Sequence, residues 1–338
     1  MKNLLVLARR FNPDCPQYTG GVIVLSENLL KYLDENKIKY DVVDTNKSIY
    51  RNRFFALILI VYLAVKKLKN STHVAMNLNE NELILIAPIL VFCAKIFGTS
   101  CSLRVFGGNV NIFHRKSVVH RILLDYVLRK VDVTFLETDY LVSYFSSTKN
   151  TIKLPNCRYS AEKGKFNTYN RKFVFISHIK KEKGVSEILQ ALEILGEEYS
   201  VDFFGSLIDY DESELNTRNS TYKGLLDSNN VAHTLKDYNC LLLPTYHKGE
   251  GYPGIILEAY SVGVPVIATR WRSIPEIVED GKSGLLVEPR CVESLVKAIK
   301  SINAEIYRDM TACAKNKFDE FNCECVYARY IAEIEKCK

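Results

Sequence analysis

The residues best placed to do chemistry lie between Pro244 and Pro289, in a stretch that begins PTYHKGEGYPGIILEAYSVGVPVIATRW. A short apolar run, Cys240–Leu243, leads into a loop holding Gly249, Gly251, Pro253 and Gly254, and a helix is expected to start at about Gly254. Proline presets the turn, and glycine lets a backbone approach a ligand closely. The first-turn amides of Gly254, Ile255 and Ile256 have no partner inside such a helix. They point outward with the positive end of its dipole, which suits a phosphate. Glu250 precedes the helix and Glu258 lies one turn inside it. Two carboxylates around one helix start can reach into the same cleft, one accepting hydrogen bonds from ribose hydroxyls and the other from sugar hydroxyls. The pattern also has a plain structural use, because Gly/Pro loops often precede helices and the dipole alone favours Glu near a helix start.

Around this segment, short apolar runs alternate with helix-length stretches almost from end to end. Strands are predicted at Leu4–Ala8, Asp41–Val43, His73–Met76, Ser102–Phe106 and Val131–Leu136. Helices are predicted at Val22–Leu33 and near 54–68, 82–97 and 115–129. Residues 155–172 are polar, with almost no periodic apolar signal, and read as a linker. The alternation then restarts, with strands at Phe173–Ser177, Val201–Phe204, Thr221–Lys223, Cys240–Leu243 and Val264–Ala268. Helices are expected at Val185–Leu195 and near 228–236, 254–262, 291–302 and 304–336. Such alternation predicts parallel sheets with helices on both faces. Two α/β domains of similar size follow, with ligands expected at the carboxyl ends of their strands.

The text Glu250-Gly-Tyr-Pro-Gly-Ile-Ile-Leu-Glu258-Ala, followed by Gly263-Val-Pro265-Val-Ile-Ala and by Ile274–Pro289, resembles a known signature. It is that of the donor-binding region of retaining glycosyltransferase family 4, GT-B enzymes among the glycosyl transferases group 1. Weaker echoes are Gly20-Gly21 after the first strand, Leu154-Pro155-Asn156 at the crossing between domains, Phe204-Gly205 and Gly224. The resemblance implies an α/β GT-B fold, two Rossmann-like parallel-sheet domains facing a central cleft. Residues 1–158 would bind the acceptor and 171–319 the nucleotide-sugar donor, with a C-terminal helix at 320–338 packing back on the first domain.

The resemblance also implies roles. Glu258 would hold the donor ribose, the amides of Gly254, Ile255 and Ile256 the diphosphate, and Glu250 would lie beside the donor sugar. Gly20 and Gly21 would also face the donor. In Ile176-Ser-His178-Ile-Lys-Lys-Glu-Lys183-Gly184, Lys183 fits the family's diphosphate-clamping Lys, and His178 stands where Arg is usual. A neutral imidazole is a weaker phosphate partner than a guanidinium fork, although a neighbouring diphosphate favours its protonated form. The family's first-domain His is missing. The comparable strand end reads Arg104-Val-Phe-Gly107-Gly108-Asn109, and Gly107, Gly108 and Asn109 are expected to line the cleft. Catalysis is expected from Glu250, Lys183 and His178: front-side transfer with retention, the leaving nucleotide diphosphate being stabilised by Lys183, His178 and the helix amides. No metal or other cofactor is expected. A UDP-sugar is the favoured donor. The expected acceptor is a saccharide or lipid-linked saccharide of bacterial surface polysaccharide, such as lipopolysaccharide, O-antigen or capsule. The departures at His178 and in the first domain leave a second reading open, a non-catalytic GT-B homologue acting as a partner or regulatory subunit.

Other patterns carry less. Asp209-Tyr-Asp211 has the form of a metal-binding pair, but its acidic surroundings read as a loop capping a short helix. Gly281-Lys-Ser lacks the glycine five residues earlier that a phosphate-binding loop needs, since position 276 is Glu. No G-x-G-x-x-G follows Leu4–Ala8, which argues against a dinucleotide cofactor. The ten cysteines form no CxxC pair and do not join the histidines at zinc spacing. The apolar start of the chain is shorter than the ~7–15 residues of a signal-peptide core, so a reducing cytoplasm is expected.

Composition bounds the rest. A chain of 338 residues, 47% apolar and 25% charged, is globular and long enough for two domains. Its net charge of +6 conceals an asymmetry, with 22 basic and 12 acidic residues in 1–158 against 23 and 27 in 159–338. No RNA- or DNA-binding signature accompanies the basic half, so nucleic acid is not an expected partner. Phe54–Val65 and Leu83–Phe97 are apolar but fall short of the ~20 residues that span a bilayer. Both read as buried helices. The alternative for Phe54–Val65, flanked by Arg51, Arg53, Lys66, Lys67 and Lys69, is a helix resting on an anionic membrane. The cationic half would then face acceptor and membrane.

Overall fold

Among the described residues each strand pairs in parallel with its neighbours, in two separate six-stranded sheets. The computed structural model describes residues 3–14, 20–50, 52–148, 150–161 and 168–337, so residues 162–167 of the expected linker lie outside the described residues. The chain divides into one unit of residues 1–157 plus 323–338 and a second of 158–322.

The first unit runs β1 (Leu4–Ala8), α1 (Gly21–Glu35), β2 (Tyr40–Asp44), α2 (Arg53–Leu68), β3 (His73–Asn79), α3 (Glu80–Leu85), α4 (Ala87–Phe97) and β4 (Ser100–Phe106). It continues with α5 (Val110–Arg115), α6 (Val118–Lys130), β5 (Val133–Leu136), α7 (Asp139–Tyr144) and β6 (Thr151–Lys153). The sheet order is β2-β1-β3-β4-β5-β6. All five residues of β1 are buried, as a strand covered on both faces requires.

The second unit runs β7 (Lys172–Ile176), α8 (Val185–Leu195), β8 (Ser200–Phe204), α9 (Glu212–Leu215), β9 (Ser220–Tyr222), α10 (Val231–Leu235) and β10 (Cys240–Leu243). It ends with α11 (Gly254–Ser261), β11 (Val266–Thr269), β12 (Gly284–Val287), α12 (Val292–Ser301) and α13 (Ala304–Lys317). Its order is β12-β11-β10-β7-β8-β9. Alternation along β7 splits the core in two, because successive side chains point to opposite faces. Phe173 and Phe175 pack with α8, whereas Val174 packs with α11.

A last helix, α14 (Cys323–Glu335), belongs to the first unit. Its Tyr327 hydroxyl donates to the Leu25 carbonyl at 2.7 Å, and its Tyr330 ring lies 4.8 Å from Phe135. The unit boundary falls at Cys157/Arg158, ahead of the expected start at 171. The Arg158 amide donates to the Phe321 carbonyl at 3.0 Å, which ties the head of the linker to the second unit. Residues 320–322 stay with that unit too, because Phe321 is buried in its core against Tyr252.

Two long helices predicted from the sequence are broken. The 82–97 stretch becomes α3 and α4, since Asn79 and Glu82 form a capping box and Pro88 begins a new helix. Ser117 caps α6, so the helix expected near 115–129 runs from Val118 to Lys130. A 3-10 turn at Phe318–Phe321 separates α13 from α14. The short elements α5, α7, β6 and β12 were outside the expected set. The two apolar stretches expected as buried helices are buried on one side only: α2 covers Ala56 and Ile60 but leaves Phe54 and Phe55 68% exposed. No helix among the described residues is long and apolar enough to cross a membrane.

Candidate active site

In the second sheet the chain runs outward from β7 through β8 to β9, and in the other direction from β10 through β11 to β12. The direction therefore switches between the neighbours β7 and β10. Right-handed crossovers send the helices that follow them, α8 and α11, to opposite faces, and a crevice opens at the carboxyl ends of the two strands. Two loops border it, 177–184 after β7 and 244–253 after β10. They carry His178 and Lys183, and Glu250, respectively.

Close backbone contact holds these loops together. Gly184 has φ +82°, and a Cβ there would overlap the Pro244 carbonyl, so only glycine fits. The Glu182 carbonyl accepts from the Tyr246 amide at 2.9 Å and from Thr245 Oγ1 at 3.3 Å. Lys183 Nζ donates to Glu250 Oε2 at 2.6 Å, and the same oxygen accepts from Thr245 Oγ1 at 3.0 Å. Behind the loop, Trp271 Nε1 donates to the His247 carbonyl at 2.8 Å and Arg272 to the Lys248 carbonyl at 2.9 Å. The Glu250 carboxylate is thus held by a lysine cation from the other loop and a hydroxyl from its own.

Glu258 projects from the first turns of α11 and receives Arg158 Nε at 2.6 Å. The Arg158 guanidinium also lies against Gly254, where a Cβ would overlap it. This arginine was read only as part of the linker. Nothing in that polar, aperiodic text marks it, since its partner is 100 positions away. A cation at a helix N-terminus opposes the helix dipole, and the Glu258 carboxylate offsets that cost. Of the three amides expected to point outward, Ile256 N is instead taken by the Pro253 carbonyl at 3.2 Å, because the helix opens with a tight turn after the proline. Gly254 and Ile255 begin the helix beside the guanidinium.

His178 is exposed at the end of β7, and its Nδ1 lies 2.5 Å from Ser206 Oγ. Partial desolvation, then the Lys183 and Lys180 charges, hold its pKa below the usual imidazole value. The Asp209 carboxylate accepts from the Lys181 amide at 3.0 Å, and Asp211 caps α9 in a capping box with Glu214. Among the described residues no group of three His, Cys, Asp or Glu side chains is placed to hold a metal ion.

In the first unit, Gly20 is the N-cap of α1 and Gly21 its first residue. Gly107, Gly108 and Asn109 follow β4, with Asn109 at the N-cap of α5 and its Oδ1 buried without a hydrogen-bond partner among the described residues. Beneath this turn lies a group that sequence reasoning missed. Glu137, at the end of β5, is 3% exposed and accepts a hydrogen bond from the Gly107 amide. Burial pushes its carboxyl up to about 7, against the opposing pull of the buried Arg104 charge. Arg104 donates to the Pro155 carbonyl at 3.2 Å and lies over the Phe106 and Tyr327 rings at 5.1 and 5.5 Å. A Glu closing an apolar strand (Val133–Leu136, then Glu137) was the signal available in the sequence.

Comparison with known proteins places this architecture. The chain is 22% identical over 330 residues to the uncharacterized glycosyltransferase MJ1178 of Methanocaldococcus jannaschii, covering 91% of this chain and 92% of that one. It is 22% identical over 263 residues to the amylovoran biosynthesis glycosyltransferase AmsK of Erwinia amylovora, covering 68% and 63%. The chain spans 41–63% of the length of the first three curated relatives it matches. Among solved structures, Anabaena Alr3699/HepE in complex with UDP superposes with a TM-score of 0.74 at 12% identity, over 99% of this chain and all of that one. The fold is that of the GT-B glycosyltransferases. Residues 159–317, nearly the whole second unit, match the family model of the glycosyl transferases group 1.

Proposed function

We propose that this chain is a retaining family 4 glycosyltransferase. It transfers a sugar from a UDP-sugar to a saccharide or lipid-linked saccharide in the synthesis of bacterial surface polysaccharide, at the inner face of the cytoplasmic membrane. The observation that carries the reading is the meeting of Lys183 and Glu250 at the β7/β10 crevice, with Glu258 at the start of the adjoining helix. The UDP bound by the HepE relative and the polysaccharide named for AmsK support the choice of donor and pathway.

In this reading Glu258 takes the ribose hydroxyls, while Lys183, His178 and the Gly254 and Ile255 amides hold the diphosphate. As the bond from the anomeric carbon to the diphosphate oxygen breaks, the Lys183 cation and the hydrogen-bond donors beside it stabilise the charge on the leaving group. The acceptor oxygen bonds to the same face of that carbon and gives its proton to the departing phosphate. Glu250, steered by Lys183 and Thr245, holds the sugar hydroxyls. In the first unit, Gly20 and Gly21 are assigned to the donor and Gly107, Gly108 and Asn109 to the acceptor. No metal is assigned a part.

The test is UDP release from a panel of UDP-sugars, with and without chelator. Release that persists with chelator and vanishes in both Lys183→Ala and Glu258→Ala supports the proposal; turnover unchanged in both variants sinks the site. His178 in an arginine position keeps the non-catalytic partner as a second reading, recognised by UDP binding with no release from any donor.

A further inference from the structure

Three neighbouring helices of the first unit turn apolar side chains away from the protein. The crossovers from β2 to β3, β3 to β4 and β4 to β5 all run in one direction along the sheet, so α2, α4 and α6 lie on the same face. There α2 packs against α4, and α4 against α6. Helix α2 buries Ala56, Ile60, Ala64 and Leu68, four residues apart, and exposes Phe54, Phe55, Ile58, Leu59 and Tyr62 along its other side. Helix α4 buries Leu90, Val91 and Ala94 and exposes Ile89, Phe92, Ile96 and Phe97. Helix α6 buries Leu124, Val127 and Leu128 and exposes Val118, Val119 and Ile122.

A helix that covers a sheet ordinarily turns a polar stripe to water, whereas each of these carries a second apolar stripe. Of 21 exposed large apolar side chains among the described residues, 12 are on these three helices. Scattered apolar side chains need no account, but a continuous patch marks an interaction surface.

The charges around the patch identify its occupant. Residues 45–124 hold eleven basic and two acidic side chains, and the two acids, Glu80 and Glu82, belong to α3. On the three helices themselves the one carboxylate is Asp125, which is engaged by His114 Nε2 at 3.0 Å. Exposed cations stand at the helix ends: Lys66 and Lys69 at α2, Arg129 and Lys130 at α6. A second copy of the chain would bring these same cations against their like, which disfavours self-association. An anionic lipid surface answers both features, since apolar side chains enter the acyl boundary while Lys and Arg meet the headgroups.

We propose that the α2–α4–α6 face is the surface by which this protein docks on anionic lipid bilayers, lying on them without crossing. The inference deepens the reading of a membrane-borne acceptor and rests on it for purpose, though not for the binding itself.

The test is co-sedimentation of the full chain with vesicles of phosphatidylcholine, alone or mixed with phosphatidylglycerol. Binding is expected to the mixed vesicles, about tenfold weaker to phosphatidylcholine alone, and falling as salt rises. The pairs Phe55→Glu with Phe92→Glu, and Lys66→Glu with Arg129→Glu, should each weaken binding about tenfold. Thermal stabilisation by UDP should be unchanged in both, which excludes misfolding. The proposal is overturned by absence of wild-type binding to mixed vesicles, by both double variants binding as wild type, or by a wild-type dimer that the phenylalanine variants dissociate while vesicles bind nothing. Vesicle binding without any response to UDP would instead uphold this surface and refute the donor assignment.

Discussion

Lys183 Nζ and Glu250 Oε2 lie 2.6 Å apart, with the two side chains only 13% and 10% exposed. They come from loops that follow two adjacent strands, so the pair also latches the crevice from which α8 and α11 diverge. Removing one member of a buried pair leaves its partner charged and unmatched, a loss of about 3–5 kcal/mol, whereas replacing both by groups of similar shape is nearly neutral. Lys183→Met should therefore destabilise by that amount, and the Lys183→Met/Glu250→Gln double variant should recover most of it. Both should lose donor turnover. Urea unfolding of the two variants decides the matter, and equal stabilities would mean that the pair does not act as a unit.

Arg158 orients Glu258 and covers the start of α11. It is a positioning residue, since it acts on the donor through the carboxylate it holds at 2.6 Å. Loss of a hydrogen bond to a charged group is worth about 1.5–3 kcal/mol. Arg158→Met should raise the KM for the nucleotide sugar about tenfold or more, with a much smaller fall in kcat, because Glu258 would bind ribose rather than the reacting carbon. Gly254→Ala should act in the same direction by displacing the guanidinium. A pure loss of kcat in both variants would place Arg158 in the chemical step.

The architecture was more legible than the site's support. Leu4–Ala8, Val185–Leu195 and Cys240–Leu243 match their predicted ends to the residue, because the two strands are apolar runs between polar or turn residues and the helix is an amphipathic segment between Gly184 and Gly196. The break at Pro88 was missed because apolar periodicity continues across it while capping acts locally. The carboxylates Glu250 and Glu258 stood out by spacing, but their partners did not. Arg158 acquires meaning only when the start of the second unit meets α11, and Thr245 only when its loop folds the hydroxyl onto Glu250. The outward apolar stripes were hidden for a different reason. In α2 and α4 both sides are apolar, and no pattern of period 3.6 tells the buried side from the exposed one.

His178 makes donor binding dependent on pH. Its pKa is held below the usual value by desolvation and by Lys183 and Lys180. A bound diphosphate reverses the local charge and raises it. A ligand that raises a pKa binds with uptake of a proton, so UDP affinity should strengthen as pH falls through the range in which the imidazole titrates. Titration calorimetry in buffers of differing ionisation heat should record that uptake for the wild type. His178→Arg should bind UDP with no proton uptake and retain activity. Proton uptake undiminished in the variant would assign the effect to another group.

Glu137 and His73 set opposite pH dependences of stability in the first unit. Burial pushes Glu137 up to about 7 from an ordinary 4.5, with Glu80 adding to the shift and Arg104, the Gly107 amide and Asn156 opposing it. Between those values the folded chain keeps a proton that the unfolded chain has released. Stability from this group is therefore present below about pH 4.5 and is lost as pH rises towards 7, by about 3 kcal/mol. His73, buried between Ser100 and Ser102, is pushed down to about 4 from 6.5, mainly by desolvation against the Asp132 charge. Its unfolded form takes up a proton first, so its contribution is present above about pH 6.5 and is lost as pH falls towards 4, by a similar ~3 kcal/mol. The two contributions offset each other, and the wild-type profile from these groups should be nearly flat between pH 4.5 and 7. Glu137→Gln exposes the histidine's slope, and its stability relative to wild type should rise by about 3 kcal/mol from pH 4.5 to 7. His73→Asn should show the reverse, losing about as much relative to wild type over the same range. Urea unfolding of all three proteins at several pH values reads both slopes, and parallel profiles would show that neither group is buried as described.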